Sequence, residues 1–173
     1  AAEPSDGAAA EPATSEPPAL APSTARGTPW SRQAPGTYRG IRIEPGTYIM
    51  WKKSANTVLL VRDGRLVRAM PTSDLDWKTP VGTYHVTDKI RQDAAYDQGH
   101  WWTLNHFVVY GPIPGHTAIG FHEDPVRNGN VYIQPLHTIG SDAYHSHGCE
   151  RLTPADAKAV WAFAKVGTEV RVR

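Results

Sequence analysis

From residue 47 onward the chain is a succession of short β-prone runs, each closed by a turn signal, and this punctuation restricts the fold more than any other feature. The runs at 47–51, 57–61, 66–70, 83–86, 106–110, 117–121, 131–133 and 169–172 are rich in Val, Ile, Thr and aromatic residues, which suit a pleated, half-buried surface. Between the second and third, Asp63-Gly64 supplies two residues that tolerate positive φ, as a two-residue type I′ hairpin turn requires. Strands that follow one another without helices between them do not build βαβ units, so the predicted class is mainly β, a β-sandwich. One α-helix is predicted in the C-terminal region, over 154–164, with Thr153 as N-cap, Pro154 at the first helical position and Asp156 in the first turn. Ala157, Val160, Trp161 and Ala164 recur at helical spacing, so that stripe is expected to pack on a sheet.

Residues 1–36 are of another kind: Ala, Pro, Ser, Thr and Glu dominate, and too few large apolar side chains are present to offset the entropy of ordering the segment. It is expected to be a disordered stalk or linker, or a trimmed flank without a role, ahead of a folded domain at 37–173. With 18 Lys and Arg against 17 Asp and Glu, the chain offers no basic surplus for nucleic acid. No apolar stretch reaches the ~18 residues that a membrane helix needs. The chain begins Ala1-Ala2-Glu3-Pro4 without methionine, as processed export products do, so a lost signal peptide and a secreted location are expected. A monomer is expected. The single cysteine, Cys149, rules out an internal disulfide and leaves a free thiol with a role to explain.

Cys149 lies in Ser146-His147-Gly148-Cys149-Glu150-Arg151. A thiol is a nucleophile as thiolate, and an ordinary pKa near ~8.5 leaves little of it at neutral pH without an imidazole or backbone donors to help. The hexapeptide offers both kinds of help. Gly148 permits a tight turn, and the N–H groups of His147, Gly148 and Cys149 are candidate donors to an oxyanion.

The hexapeptide resembles the active-site signature of the L,D-transpeptidase catalytic domain of bacterial cell-wall enzymes. Thr79-Pro80-Val81-Gly82-Thr83-Tyr84 is similar to a second segment of that family, and Ala118-Ile119-Gly120-Phe121-His122 resembles the strand that ends in its catalytic histidine. The resemblance covers about 46–173 and implies a cysteine-dependent acyltransferase without metal or organic cofactor, placed in the bacterial cell envelope. Cys149 would attack a peptidoglycan stem peptide, release the terminal D-alanine and pass the acyl group from the thioester to an amine. With water as acceptor the same chemistry is that of an L,D-carboxypeptidase, and the motif does not choose between them. His122 would be general base and then acid, its second ring nitrogen held by a backbone carbonyl, that of Glu123. Carbapenems are the inhibitors that the resemblance implies.

Two departures from the family stand out. Its histidine-to-serine spacing falls between the 23 residues that separate His122 from Ser146 and the eight that separate His137 from it. His122 is the preferred base, with His137 open, and a lengthened hairpin around Asn128-Gly129 would absorb the excess. Glu150 stands where the family carries an apolar residue. A carboxylate facing the thiol would raise its pKa, so Glu150 is expected to point away.

Other readings of the same residues remain. His147 is a supporting residue or an alternative proton acceptor. His145, His147 and Cys149 would lie on one face of an extended strand and, with His122 or His137, make a zinc site of a zinc-dependent peptidase. A non-catalytic wall-binding module is the third alternative. Ser146, Arg151, Tyr110 and Tyr144 are candidate substrate-binding residues, with Trp101 and Trp102 as further groove aromatics, although core packing is the stronger reading for the four aromatics and bracing of the loop for Arg151.

Overall fold

The computed structural model describes residues 36–173 apart from 75, 76, 114, 116 and 117; all but the last residue of the expected stalk lies outside the described residues. The strands are β1 (Thr37–Tyr38), β2 (Ile41–Arg42), β3 (Tyr48–Lys52), β4 (Thr57–Arg62), β5 (Arg65–Pro71), β6 (Gly82–His85), β7 (Asp88–Asp97), β8 (His100–Val109), β9 (Gly120–Glu123), β10 (Val126–Arg127), β11 (Val131–Tyr132), β12 (Glu150–Leu152) and β13 (Glu169–Val172), with α1 at Pro154–Phe163.

Two sheets share a core. One runs β5-β4-β3-β13-β6; the other runs β11-β10-β8-β9-β12, with β7 also on β8. Period-two alternation divides the side chains of the first sheet. Ile49 and Trp51 of β3 and Val58 and Leu60 of β4 join Val108, Phe121 and Leu152 of the second sheet and Val160 of α1 in one cluster. Tyr48, Met50, Leu59 and Val61 point to the opposite face, where Ile43, Tyr38 and Ile41 cover them. The β-sandwich with one C-terminal-region helix is thus present as the sequence predicts.

The local signals also hold. Asp63 and Gly64 have φ of 52° and 70° at the β4–β5 turn. Thr153 caps α1 by accepting from the Asp156 N–H at 3.3 Å, and Pro154 opens the helix. Ala157, Val160 and Ala164 bury as expected, while Trp161 stays half-buried beneath Lys89, whose Nζ lies 4.5 Å from its ring. Three features escaped the sequence reading: β7, whose polar side chains are mostly exposed; the β1–β2 hairpin; and β12, the short strand directly after the cysteine.

β12 decides where the cysteine goes. It pairs in parallel with β9, Glu150 opposite Phe121, Arg151 opposite His122 and Leu152 opposite Glu123. Gly120 begins β9 and meets β8 so closely that a Cβ there would lie 2.0 Å from the Val108 carbonyl oxygen. Backbone cannot yield to that overlap as a side-chain end can. Gly120→Ala is therefore expected to cost about 3 kcal/mol or more in denaturant unfolding. Gly129→Ala, at a turn with open space around it and φ of 77°, is expected to cost about 1 kcal/mol, the left-handed backbone alone.

Candidate active site

His122 is carried by β9 and held by two neighbours. Its side chain is buried, 3 % exposed. Nδ1 lies 2.6 Å from the Glu123 carbonyl oxygen; a carbonyl only accepts, so Nδ1 carries the proton and Nε2 is left as the acceptor. The Phe107 ring stands edge-on at 5.4 Å. Burial first, and the Arg151 charge after it, lower the imidazole pKa from its ordinary 6.5 to about 4 against the raising effect of the Glu123 carbonyl. At neutral pH the ring is an uncharged base.

The loop ahead of β12 presents Cys149. Gly148 takes φ of 136°, which a side chain would resist, and its N–H donates to Ser146 Oγ at 2.9 Å. That bond corrects one expectation. The Gly148 amide is committed to bracing the loop, and the candidate oxyanion donors reduce to the amides of His147 and Cys149. Ser146 is buried, and its contribution seen here is this brace.

The thiol itself departs further from expectation. Burial, then the Glu150 carboxyl, push its pKa from 9.0 up to about 12, against the Gly120 amide and the Arg151 charge, which lower it. The resting group is a neutral thiol. Glu150 does not point outward: it is fully buried, and it receives the Tyr110 hydroxyl at 2.8 Å. Facing the core satisfies one carboxyl oxygen by hydrogen bonding, and the same burial raises its own pKa well above the carboxylate range. Tyr110 is corrected with it. At 2 % exposure it packs between Tyr84 and Phe121 as part of the core.

Cys149, His122, Ser146, His147 and Arg151 border one cleft of about 140 Å³, closed on another side by Ala95, Tyr96, Asp97, Trp102 and Leu104 of the β7–β8 hairpin and by Pro125 and Ile133. His147 is largely exposed, with Nε2 3.9 Å from Asp97 Oδ1 across the cleft mouth. Arg151 is buried, reaching Gln134 Oε1 from NH1 at 3.5 Å. Asp124 faces it too, and burial raises that carboxyl from 3.8 to about 7. Gln134 in turn donates to Ser73 Oγ and Thr138 Oγ1, both at 3.1 Å. Nothing in the sequence marks Asp97, Asp124 or Gln134: Asp97 closes β7, whose polar run shows no alternation, and Asp124 and Gln134 lie in irregular segments.

Other candidates lie elsewhere. Tyr144 and His145 border a separate polar cavity with Asn56, Asp74, Ser141 and Asp142. His137, exposed on the 3₁₀ turn Leu136–Thr138, borders neither space. Trp102 lines the cleft, with the Arg127 guanidinium 5.3 Å from its ring, whereas Trp101 is exposed against Tyr96. Residues 145–149 form a loop and not a strand. Among the described residues no three His, Cys, Asp or Glu side chains gather closely enough for a metal ion, which removes the geometric basis of the zinc reading.

A family profile, that of the L,D-transpeptidase catalytic domain, matches residues 46–172. The chain belongs to this family. Solved structures similar to it include an Enterococcus faecium L,D-transpeptidase carrying a cysteine-to-serine substitution, at 20 % identity and TM-score 0.57 over 80 % of this chain and 54 % of that one. L,D-transpeptidase 3 of Mycobacterium tuberculosis, with a faropenem-derived adduct, matches at 20 % identity and TM-score 0.56 over 75 % and 60 %. An L,D-transpeptidase in complex with imipenem matches at 22 % and TM-score 0.55 over 74 % and 59 %. At such identities the likeness is one of fold, and the chain spans about six tenths of the solved chains. Among curated proteins, none matches the sequence.

The site geometry predicts its own titration. Nuclear magnetic resonance of the histidine rings should show His122 taking up its proton near pH 4, below the ordinary 6.5. A midpoint at or above 6.5 would mean that the ring is paired with an anion, a thiolate above all.

Proposed function

We propose that this L,D-transpeptidase domain cross-links peptidoglycan stem peptides through a thioester on Cys149. The observation that carries the reading is the shared cleft: a thiol and a neutral imidazole, brought by adjacent parallel strands, border the same space as a buried arginine. His122 Nε2 takes the thiol proton as sulfur attacks the amide carbon, and the imidazolium then gives it to the leaving D-alanine amine. The amides of His147 and Cys149 receive the oxyanion. Because the thiol is neutral at rest, deprotonation and attack are coupled, and the thiolate need not persist in the apo enzyme.

Arg151 favours negative charge on the nearby sulfur and is placed to meet a substrate carbonyl or carboxylate at the cleft wall. An amine acceptor completes a cross-link, and water completes an L,D-carboxypeptidase cycle at the same thioester. The family's secreted, envelope location is part of the proposal, as is β-lactam acylation, for which the faropenem-derived adduct on a structurally similar protein gives the chemical precedent.

Intact-mass analysis after carbapenem exposure is expected to show one covalent adduct, lost in Cys149→Ala. That variant should abolish tetrapeptide turnover and keep its thermal midpoint within a few degrees. His122→Ala should slow acylation by about two to four orders of magnitude, and His137→Ala by much less. An unmodified mass under conditions that acylate a catalytically active family member would favour the wall-binding alternative, and a slower His137→Ala would move the base to the loop.

A further inference from the structure

Glu150 is the part of the motif that the chemistry above leaves unused. It stands between Cys149 and Arg151 on β12, yet it does not border the cleft that both of them line. Its side chain is 0 % exposed. One carboxyl oxygen, Oε1, accepts from Tyr110 at 2.8 Å, while Oε2 has no partner among the described residues. Thr79 Oγ1, which faces the same phenol, is also buried without a partner.

The charged and titratable groups around this carboxyl do not favour an anion. Asp74, after β5, has the same sign. Lys53, at the 3₁₀ turn Lys53–Ala55, has the opposite sign, but its Nζ is committed to the Thr79 carbonyl at 2.7 Å. Tyr110, just after β8, offers one hydrogen bond, and Cys149, the last residue of the loop, and Arg151 of β12 flank the residue along the chain. A buried anion with one oxygen bare and no cation in contact is strongly disfavoured. Burial first, and the Asp74 charge after it, accordingly hold the group protonated above the ordinary range, against the lowering effects of the Tyr110 hydrogen bond, its own backbone amide and Lys53. The same carboxyl is, after burial, the main influence that raises the Cys149 pKa.

We propose that Glu150 is a positioning residue for the nucleophile: as a neutral acid it ties the motif strand to Tyr110, and once its proton leaves to solvent its charge withholds the Cys149 thiolate, setting an alkaline limit on the site. An apolar residue at this position, as the family carries, fills the space without supplying such a limit. The inference rests on Cys149 being the nucleophile of the proposed function, but it is tested by a reaction that needs only a reachable thiolate.

That reaction is alkylation of the full chain by iodoacetamide, followed by intact mass from about pH 6 to about pH 10, the range over which free thiols titrate. Wild type is compared with Glu150→Gln, which keeps the size and an oxygen for Tyr110 to donate to. The two rate profiles should coincide near neutrality and part above it, with Glu150→Gln about tenfold faster at the alkaline end, the effect of one pKa unit on thiolate. Profiles that coincide throughout, or that differ by one constant factor at every pH, would overturn the proposal, since the residue would then act by packing alone. Should Glu150→Gln fail to fold, the infrared carbonyl band of a protonated carboxyl is read in the wild-type protein. Its presence at neutral pH and its loss in step with flattening of the alkylation profile support the proposal; its absence at neutral pH overturns it. A protein that carbapenem leaves unmodified but that shows these profiles would refute the acyl-transfer reading and leave the role of Glu150 standing.

Discussion

Because Glu150, Arg151 and Leu152 pair in parallel with Phe121, His122 and Glu123, the thiol of the loop directly ahead of β12 and the imidazole on β9 reach one cleft from opposite ends of a long connection. Register is what this pairing protects. A slip of one residue along β9 would exchange the two faces of β12, sending the Arg151 guanidinium into the core and the Glu150 carboxyl into the cleft. Leu152 and Phe121, both fully buried, anchor the correct register from below. The Gly120 approach to Val108 fixes it from the side, and α1 follows within two residues and packs against β8, β9 and β12. A strand of three residues is held by everything around it more than by its own hydrogen bonds.

The electrostatics follow from the same burial. Withdrawal from water disfavours both charged forms, lowering the His122 pKa to about 4 and raising that of Cys149 to about 12. The pair therefore rests neutral, with its proton on sulfur. An imidazolium–thiolate ion pair would need a polar or ionic surround to stabilise it, and Arg151 is the nearby cation that opposes rather than assists an imidazolium. The arrangement suits a nucleophile that is deprotonated only when substrate is in place, and it leaves the free thiol weakly reactive toward adventitious electrophiles.

Much of this was legible in the sequence because short-range chemistry determined it. Asp63-Gly64 had to accept positive φ, Thr153 and Pro154 had to open a helix, and a strand ending in His122 had to place the ring at a sheet end. What escaped was decided at long range. β7 reads Asp88-Lys89-Ile90-Arg91-Gln92-Asp93 and shows no alternation because its side chains are mostly exposed, so only its cross-strand partner β8 defines it. Tyr110 is a groove candidate by its place before Gly111-Pro112; the partner of its buried hydroxyl, Glu150, lies 40 positions further on. Glu150 is expected to turn outward because a carboxylate facing the thiol would raise the thiol's pKa. It turns inward because the cost of burial falls on the anion, and a neutral acid with a phenol donor largely avoids it.

The long spacing between His122 and Ser146 finds its account in the same parallel pair. Parallel strands need a crossover connection in any case, and the entropy of closing such a connection grows only logarithmically, about 0.6 kcal/mol for each doubling of length. Here the added residues are also partly structured: β10 and β11 form a hairpin with Asn128 and Gly129 at φ of 51° and 77°, and Val126 pairs with Thr103 of β8. The Ile133 N–H returns to the Pro125 carbonyl at 2.9 Å and the Gln134 N–H to Asp124 at 3.2 Å, which pinches the hairpin base shut. The excess is thus looped out on its own hydrogen bonds before the chain reaches the motif. Separation along the sequence is a weak guide to which histidine meets the thiol; the strand that carries it is the stronger one, and His122 is on the strand that β12 joins.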